Sequence, residues 1–471
     1  MVRQLLLYLL AITTLASCNN KKSSCDYAYF GGEIINPNNN YLLFYDETES
    51  TIDTLFLDNE NRFSYKVQSL NPGLHSFVHG SEYQVVVLEP NDSIMIRLNT
   101  YDFDESLVFT GRGAKKNNYL INLFVGLESE EKTMYALSKR EPEVFLNKLD
   151  SLRKRRISSL NSFKEKLNYS PVFEKVARSS IDFYYNSHKE LYPFRFYGRK
   201  KLINYKDLPD NFYSYRDSIN YNDEQFKDYF PFYNFLIPHF DNLSLKEYYS
   251  KTGDSIHNRN SIMYNLTKLK LMDSLVESEV IKNNLLKYST NNYLSNANSM
   301  EDCEIMYNSF IKKSTNQKHN DQISNLLETL RKIQPGNKIP EVELLNYRNK
   351  VENLTSKITK PTVVFFWTKA IQNHFINSHK KVEKLKAAYP EIEFISININ
   401  SGSYPIWKRL LMQNNFPLEN EYRFRNPDIA KKMLAIHYIN KVMVVDKNKR
   451  IISSKTSLFS KDFKEVLNQF K

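Results

Sequence analysis

Three cysteines and nine histidines are the residues here whose side chains could do thiol, metal or general-base chemistry. Neither Cys25 nor Cys303 has a sequence-adjacent partner thiol, so a local redox pair and a Cys-based metal cluster are both excluded. A Cys25 to Cys303 disulfide stays open in an oxidising compartment, with isolated thiols the expectation. His75 and His79 fall on one face of a strand, but that spacing separates them by roughly 13 Å, too far for one ion. His374 and His379 are five apart, which is not the helical spacing that binds zinc, and no nearby Cys completes a site. A His374 general base has no obvious nucleophile to activate. No metal and no cofactor is therefore expected.

The elements that must position these residues belong to a chain of 471 residues, long enough for two to four domains with buried cores. With 41% hydrophobic residues, 11 Gly and a mean hydropathy of −0.54, it is not collagen-like, low-complexity or a polytopic membrane protein. The net charge of +12 is spread along the chain rather than gathered on one face or arm, so no nucleic-acid partner is expected. The densest run, Arg153-Lys154-Arg155-Arg156, is flanked by Leu146, Leu149, Leu152, Ile157 and Leu160 and reads as the solvated face of an amphipathic helix.

Residues 1–17 carry Arg3, an apolar stretch from Leu5 to Leu15 and then small residues, which reads as a secretory signal too short to span a membrane. Leu15-Ala16-Ser17-Cys18 resembles the bacterial lipobox. The resemblance implies cleavage before Cys18 and lipidation of its thiol, with several acyl chains giving stable attachment to the membrane. Residues 18–26, polar from Asn19 to Ser24, read as a tether, and the protein is expected to be exported and anchored to the cell envelope, periplasm-facing or on the outer membrane.

Over residues 27–113, short alternating runs such as Phe63, Tyr65, Val67 and Ile94, Ile96, Leu98 predict half-buried strands. Asn36-Pro37-Asn38, Asn71-Pro72-Gly73 and Pro90-Asn91-Asp92 supply turns. An all-β sandwich follows. Gly31-Gly32-Glu33-Ile34 and Leu88-Glu89-Pro90-Asn91-Asp92-Ser93-Ile94 resemble the N-terminal β domain attached to envelope thioredoxin-like lipoproteins, whose usual turn is Glu-Pro-Gly-Asp-Ser. Residues 114–335 turn helical: Leu266, Leu269, Met272, Val276 and Val280 have the spacing of one amphipathic helix, and Ile323, Leu326, Leu327 and Leu330 of another. Phe183-Tyr184-Tyr185 and Tyr229-Phe230-Pro231-Phe232-Tyr233 read first as inter-helix packing, although such rings could also line a ligand groove.

Residues 336–471 alternate strand and helix as an α/β domain does. Val363–Trp367, Ile392–Ile399 and Val442–Asp446 are expected strands, with helices over Phe375–Tyr389, from Trp407, and over Phe463–Phe470, and a hairpin at Lys447–Lys449. Gly336–Leu344, Lys360–Trp367 and Val444–Ile451 resemble the TlpA/AhpC-TSA branch of thioredoxin-like proteins. That family places Trp-Cys-x-x-Cys after the Phe-Trp strand end, with the first thiol at a helix N-terminus that lowers its pKa. Here the two positions fall on Ile371 and His374, neither of which can carry out thiol-disulfide exchange. The family's cis-Pro tripeptide falls on Ile439-Asn440-Lys441, where a cis bond would cost about 2.5 to 4 kcal/mol and a trans loop is expected.

The expectation is a multidomain, lipid-anchored envelope protein with an N-terminal β-sandwich, a central helical region and a redox-inactive C-terminal thioredoxin-like domain that binds or scaffolds. The resemblance implies envelope proteins or extended polypeptide as partners, gripped by a patch made of Trp367, Ile371, Gln372, Asn373, His374 and Asn440. Two alternatives stand beside it: an oxidoreductase or antioxidant protein using Cys303 or a partner's thiols, and an accessory lipoprotein capturing a nutrient through the aromatic helices.

Overall fold

The computed structural model describes residues 27–46, 52–80, 82–165, 170–198, 205–252, 258–297, 299–400 and 404–470. The chain divides into two compact units, Met1–Leu243 with Gly253–His257, and Ser244–Thr252 with Asn258–Lys471. The helical stretch expected over 114–335 contributes to both.

The first unit begins with strands β1 (Tyr27–Ile35), β2 (Tyr41–Tyr45), β3 (Ile52–Phe56), β4 (Arg62–Gln68), β5 (Gly73–His79), β6 (Glu82–Leu88), β7 (Ser93–Asn99) and β8 (Val108–Arg112), with a short helix α1 (Phe103–Ser106) before β8. They form two four-stranded sheets, β4-β1-β7-β8 and β3-β2-β5-β6. The first sheet is mixed, because β1 runs parallel to β7 and antiparallel to β4. Alternation puts Phe30, Phe44, Phe77, Val86, Ile94 and Ile96 in one core, as the sequence pattern requires. His75 and His79 are both buried in this sandwich. His75 stacks on Phe44, while His79 donates from Nδ1 to the Tyr41 carbonyl (2.9 Å) and accepts the Asn38 N–H at Nε2 (3.0 Å).

Helix α2 (Ala114–Leu137) closes this sandwich. The Asn117 side chain bonds both the N–H (2.7 Å) and the C=O (3.0 Å) of Val87 on β6, and Asn118 does the same for Phe109 on β8 (2.9 and 2.7 Å). Adjacent amides thus satisfy otherwise unpaired backbone groups in each sheet. Lys116 Nζ, buried, pairs with Glu89 (2.6 Å) and Asp92 (2.5 Å). Those acids sit in the Glu-Pro-Asn-Asp-Ser turn, where Asn91 takes φ +69°, a conformation Asn tolerates and Gly takes freely.

Helices α3 (Pro142–Glu165), α4 (Pro171–Phe196) and α5 (Phe230–Thr252) follow, with short 3-10 turns at Tyr205–Asp207, Ser214–Ser218 and Glu224–Phe226 between α4 and α5. The basic run lies on α3, where Arg153 pairs with Asp182 (2.7 Å) and Arg156 with Glu130 (2.5 Å). Arg155 also reaches Glu130 (3.7 Å), so three of the four charges face acids on neighbouring helices. Glu190 on α4 is fully buried among donors: His239 Nδ1 (2.6 Å), Tyr215 OH (2.6 Å), Arg216 Nε (3.0 Å) and Asn242 Nδ2 (2.8 Å). Burial alone would push this carboxyl up. The His239 hydrogen bond and the Arg216 charge overcome it and hold it below the usual value. The cluster fastens the 3-10 segment Ser214–Ser218 to α4 and α5.

In the second unit α6 (Ile262–Leu275), α7 (Glu279–Asn296), α8 (Met300–Ile311) and α9 (Gln317–Lys332) pack on one another. The single helix expected through Val276 and Val280 is two helices. Ser278 caps α7 by accepting the Ile281 N–H, so Val276 lies in the break. The rest is β9 (Glu343–Leu345), β10 (Val351–Asn353), α10 (Leu354–Lys357), β11 (Thr362–Trp367), α11 (Gln372–Ala388), β12 (Glu393–Asn398), α12 (Tyr404–Gln413), β13 (Glu421–Phe424), α13 (Pro427–Met433), β14 (Val442–Val445), β15 (Ile451–Thr456) and α14 (Phe463–Asn468). These strands form one sheet in the order β10-β9-β13-β12-β11-β14-β15. Its middle is the parallel run β13-β12-β11, bordered by antiparallel β14 and β15 on one side and by antiparallel β9 on the other, which is compatible with the expected thioredoxin-like domain. β10, α10, β13 and α13 are additions to the order read from the sequence.

Candidate binding site at the end of the C-terminal sheet

β11 is buried along its whole length, and the chain that leaves its end returns to the surface. Thr368 shapes that exit: its hydroxyl accepts the Ala370 N–H (3.2 Å) and its carbonyl accepts the Ile371 N–H (3.4 Å). Helix α11 begins at Gln372, not Phe375, so Gln372, Asn373 and His374 form its first turn and Ile371 is its N-cap residue. Ile371 has no side-chain oxygen to offer the free N–H groups there, and 46% of its surface is exposed. Because Thr362 pairs with Val445 and Phe365 with Val442, the loop before β14 lies at this same end of the sheet. It carries exposed Asn440, and no cis peptide bond occurs among the described residues.

The expected patch is thus mostly surface, with one correction. Trp367 is fully buried, stacked on Phe375 at 4.3 Å between ring centroids, and cannot touch a partner. Its place at the surface falls to Phe459, 50% exposed and 6.3 Å from the His374 ring, which sequence reading missed because it lies beyond β15. His374 is half-buried, with Nε2 3.2 Å from Ser378 Oγ. Burial, and then the neighbouring His379, hold its pKa below the usual value, which favours a neutral ring. His379 is buried, with Nδ1 bonded to the Phe375 carbonyl (2.7 Å) and Nε2 facing Glu421 (3.0 Å) and Ser396 (3.3 Å). Serine and acid meet the same ring nitrogen, so the three do not form a relay from acid through imidazole to nucleophile.

Cys303 is fully buried in α8, and burial pushes its thiol above the usual value. Both properties oppose thiolate chemistry. The lipidation residue Cys18, its signal segment and Cys25 lie outside the described residues. Lys441, next to Asn440, donates to the carbonyls of Leu434 (2.7 Å) and Ala435 (3.0 Å); burial and Lys455 push it down to about 7. It braces the end of α13 rather than facing the patch. Among the described residues no group of three or more acidic, His or Cys side chains could hold a metal ion, and no helix is long and apolar enough to cross a membrane.

No protein-family model and no curated protein matches the chain. Solved structures similar to it include thioredoxin-like proteins and thiol-disulfide oxidoreductases. A thioredoxin-like protein from Bacteroides caccae is 13% identical over 45% of this chain and 78% of its own, with a TM-score of 0.33. The thioredoxin domain of a thiol-disulfide oxidoreductase from Bacteroides vulgatus is 15% identical over 29% of this chain and 97% of its own, with a TM-score of 0.25.

Proposed function

We propose that this chain is an envelope lipoprotein, anchored through Cys18, whose C-terminal thioredoxin-like module has lost redox chemistry and binds extended polypeptide. The observation that carries the reading is the identity of Ile371 and His374, an apolar N-cap and a half-buried imidazole where the resembling family keeps its two thiols. An extended segment lying across the exposed Ile371, Gln372 and Asn373 would find apolar contact beside unpaired N–H groups at the start of α11, with Asn440 across the loop. The alternative use of Cys303 as an attacking thiol finds no support in its burial and raised pKa.

The test is insulin reduction with dithiothreitol, run on the purified chain, on Cys303→Ser, and on the double variant Ile371→Cys, His374→Cys. The native chain and Cys303→Ser are expected to match the dithiothreitol blank, and the double variant to gain a rate. A native rate abolished by Cys303→Ser would refute redox inactivity. The anchor is checked separately, since Cys18→Ala should move the protein from the membrane to the soluble fraction of its host.

A further inference from the structure

The first unit holds a cavity of about 490 Å³ between α3, α4, the 3-10 segment Ser214–Ser218 and the start of α5. One face of α4 supplies its polar wall. Ser179, Asp182, Asn186 and Lys189 follow at spacings of three, four and three, which aligns them over about 15 Å of helix. Asp182 uses one oxygen, Oδ1, for Arg153 (2.7 Å), and Asp150 on α3 uses Oδ1 for Lys189 (3.2 Å). The second oxygen of each carboxylate, the Asn186 amide and the Ser179 hydroxyl have no protein hydrogen-bond partner among the described residues. The cavity therefore offers free acceptors, an amide that both donates and accepts, and an ammonium group.

Aromatic rings share the lining with these polar groups. Phe183 is partly exposed and backed by Phe226 and Phe235 at 5.3 and 5.7 Å. The Tyr215 ring is held at the rim because its hydroxyl is committed to buried Glu190 (2.6 Å), itself fixed by Arg216, His239 and Asn242. The wall is thus set before any ligand arrives, which lowers the ordering cost of binding.

Charge selects the ligand. Each acid of the lining already has a basic partner, Asp182 with Arg153, Asp150 with Lys189 and Asp223 with Lys175 (2.8 Å), while Lys154 is exposed. An anion would meet the carboxylates, a cation the amines, and a purely apolar chain would bury the ion pairs without replacing their water. A neutral polyhydroxylated ring satisfies the whole set, with hydroxyls that donate to Asp and accept from Lys and Asn, and a C–H face for Phe183 and Tyr215. We propose that this cavity is a binding site for a neutral carbohydrate of one or two sugar rings. The proposal concerns the first unit alone and stands or falls apart from the redox reading of the C-terminal module.

The experiment is isothermal titration of the purified chain with methyl glucoside, maltose, cellobiose, xylobiose and chitobiose, with glucuronate and glucosamine as charged comparisons. Saturable binding of at least one neutral probe is expected, weakened about tenfold or more by Asp182→Leu and by Asn186→Leu. Tyr215→Phe keeps the ring and should bind better than Tyr215→Ala. Circular dichroism establishes that each variant is folded, and Lys332→Gln, on α9 in the other unit, should bind as the native chain does. Absence of saturable binding for every neutral probe at about 10 mM, preference for a charged comparison, or binding unmoved by Asp182→Leu and Asn186→Leu would each overturn the proposal.

Discussion

His79 shows how a residue type that suggests metal chemistry is used by the fold instead. Its ring gives Nδ1–H to the Tyr41 carbonyl and takes the Asn38 N–H at Nε2, so the neutral form is fully bonded and the protonated form has no room for its second proton. Burial accordingly holds its pKa below 6.5, against the weaker opposing pull of the Tyr41 bond. The unfolded chain takes up this proton near the ordinary value of about 6.5, while the folded chain resists until lower pH. Acid therefore favours unfolding: the contribution of neutral His79 is full above the unfolded value and declines as pH falls toward the folded one. Urea denaturation at pH 7.5 and 5.5 should show the native chain losing more stability on acidification than His79→Phe. Equal losses would mean that the ring is not held neutral. The sequence placed His75 and His79 on one strand face and excluded a shared ion on distance. It could not show the Tyr41 carbonyl or the Asn38 N–H, because both come from chain about forty residues away.

At the scale of elements, what was legible depended on whether a signal was local. The strand alternation around Ile94 and the buried run Val363–Trp367 were readable because periodicity is carried by neighbours in sequence. The break between α6 and α7 was not read, because apolar spacing continues from Leu266 to Val280 across it. The local sign was Ser278, a good cap placed just before Glu279. Ser278→Ala should cost about 1 kcal/mol, seen as a lower thermal midpoint. The junction of α2 with the sandwich was invisible for the opposite reason, since Asn117 and Asn118 bond groups in two different sheets. Asn117→Ala leaves the N–H and C=O of Val87 buried without partners and should cost about 1 to 3 kcal/mol. In the candidate patch, Ile371 and His374 were readable by alignment on Phe366-Trp367, whereas the burial of Trp367 depends on Phe375 folding back over it.

At the scale of the whole molecule, division into two units makes a prediction that the chain's own composition allows to be tested. Its two tryptophans, Trp367 and Trp407, both belong to the second unit, within one apolar cluster with Phe375, Leu411 and Phe416. Tryptophan fluorescence thus reports on that unit alone, while far-ultraviolet circular dichroism reports on both. Glu190 belongs to the first unit, and replacing it by Leu leaves Arg216, His239 and Asn242 buried without their acceptor. Removing one side of such a buried pair typically costs about 3 to 5 kcal/mol. If the units have separable cores, Glu190→Leu should lower a transition seen by circular dichroism and leave the tryptophan midpoint in place. A tryptophan midpoint that falls in parallel would mean that the two units unfold as one cooperative body. The sugar-site variants would then have to be judged against the stability of the entire chain, because damage to the first unit would be transmitted to the module that carries Ile371 and His374.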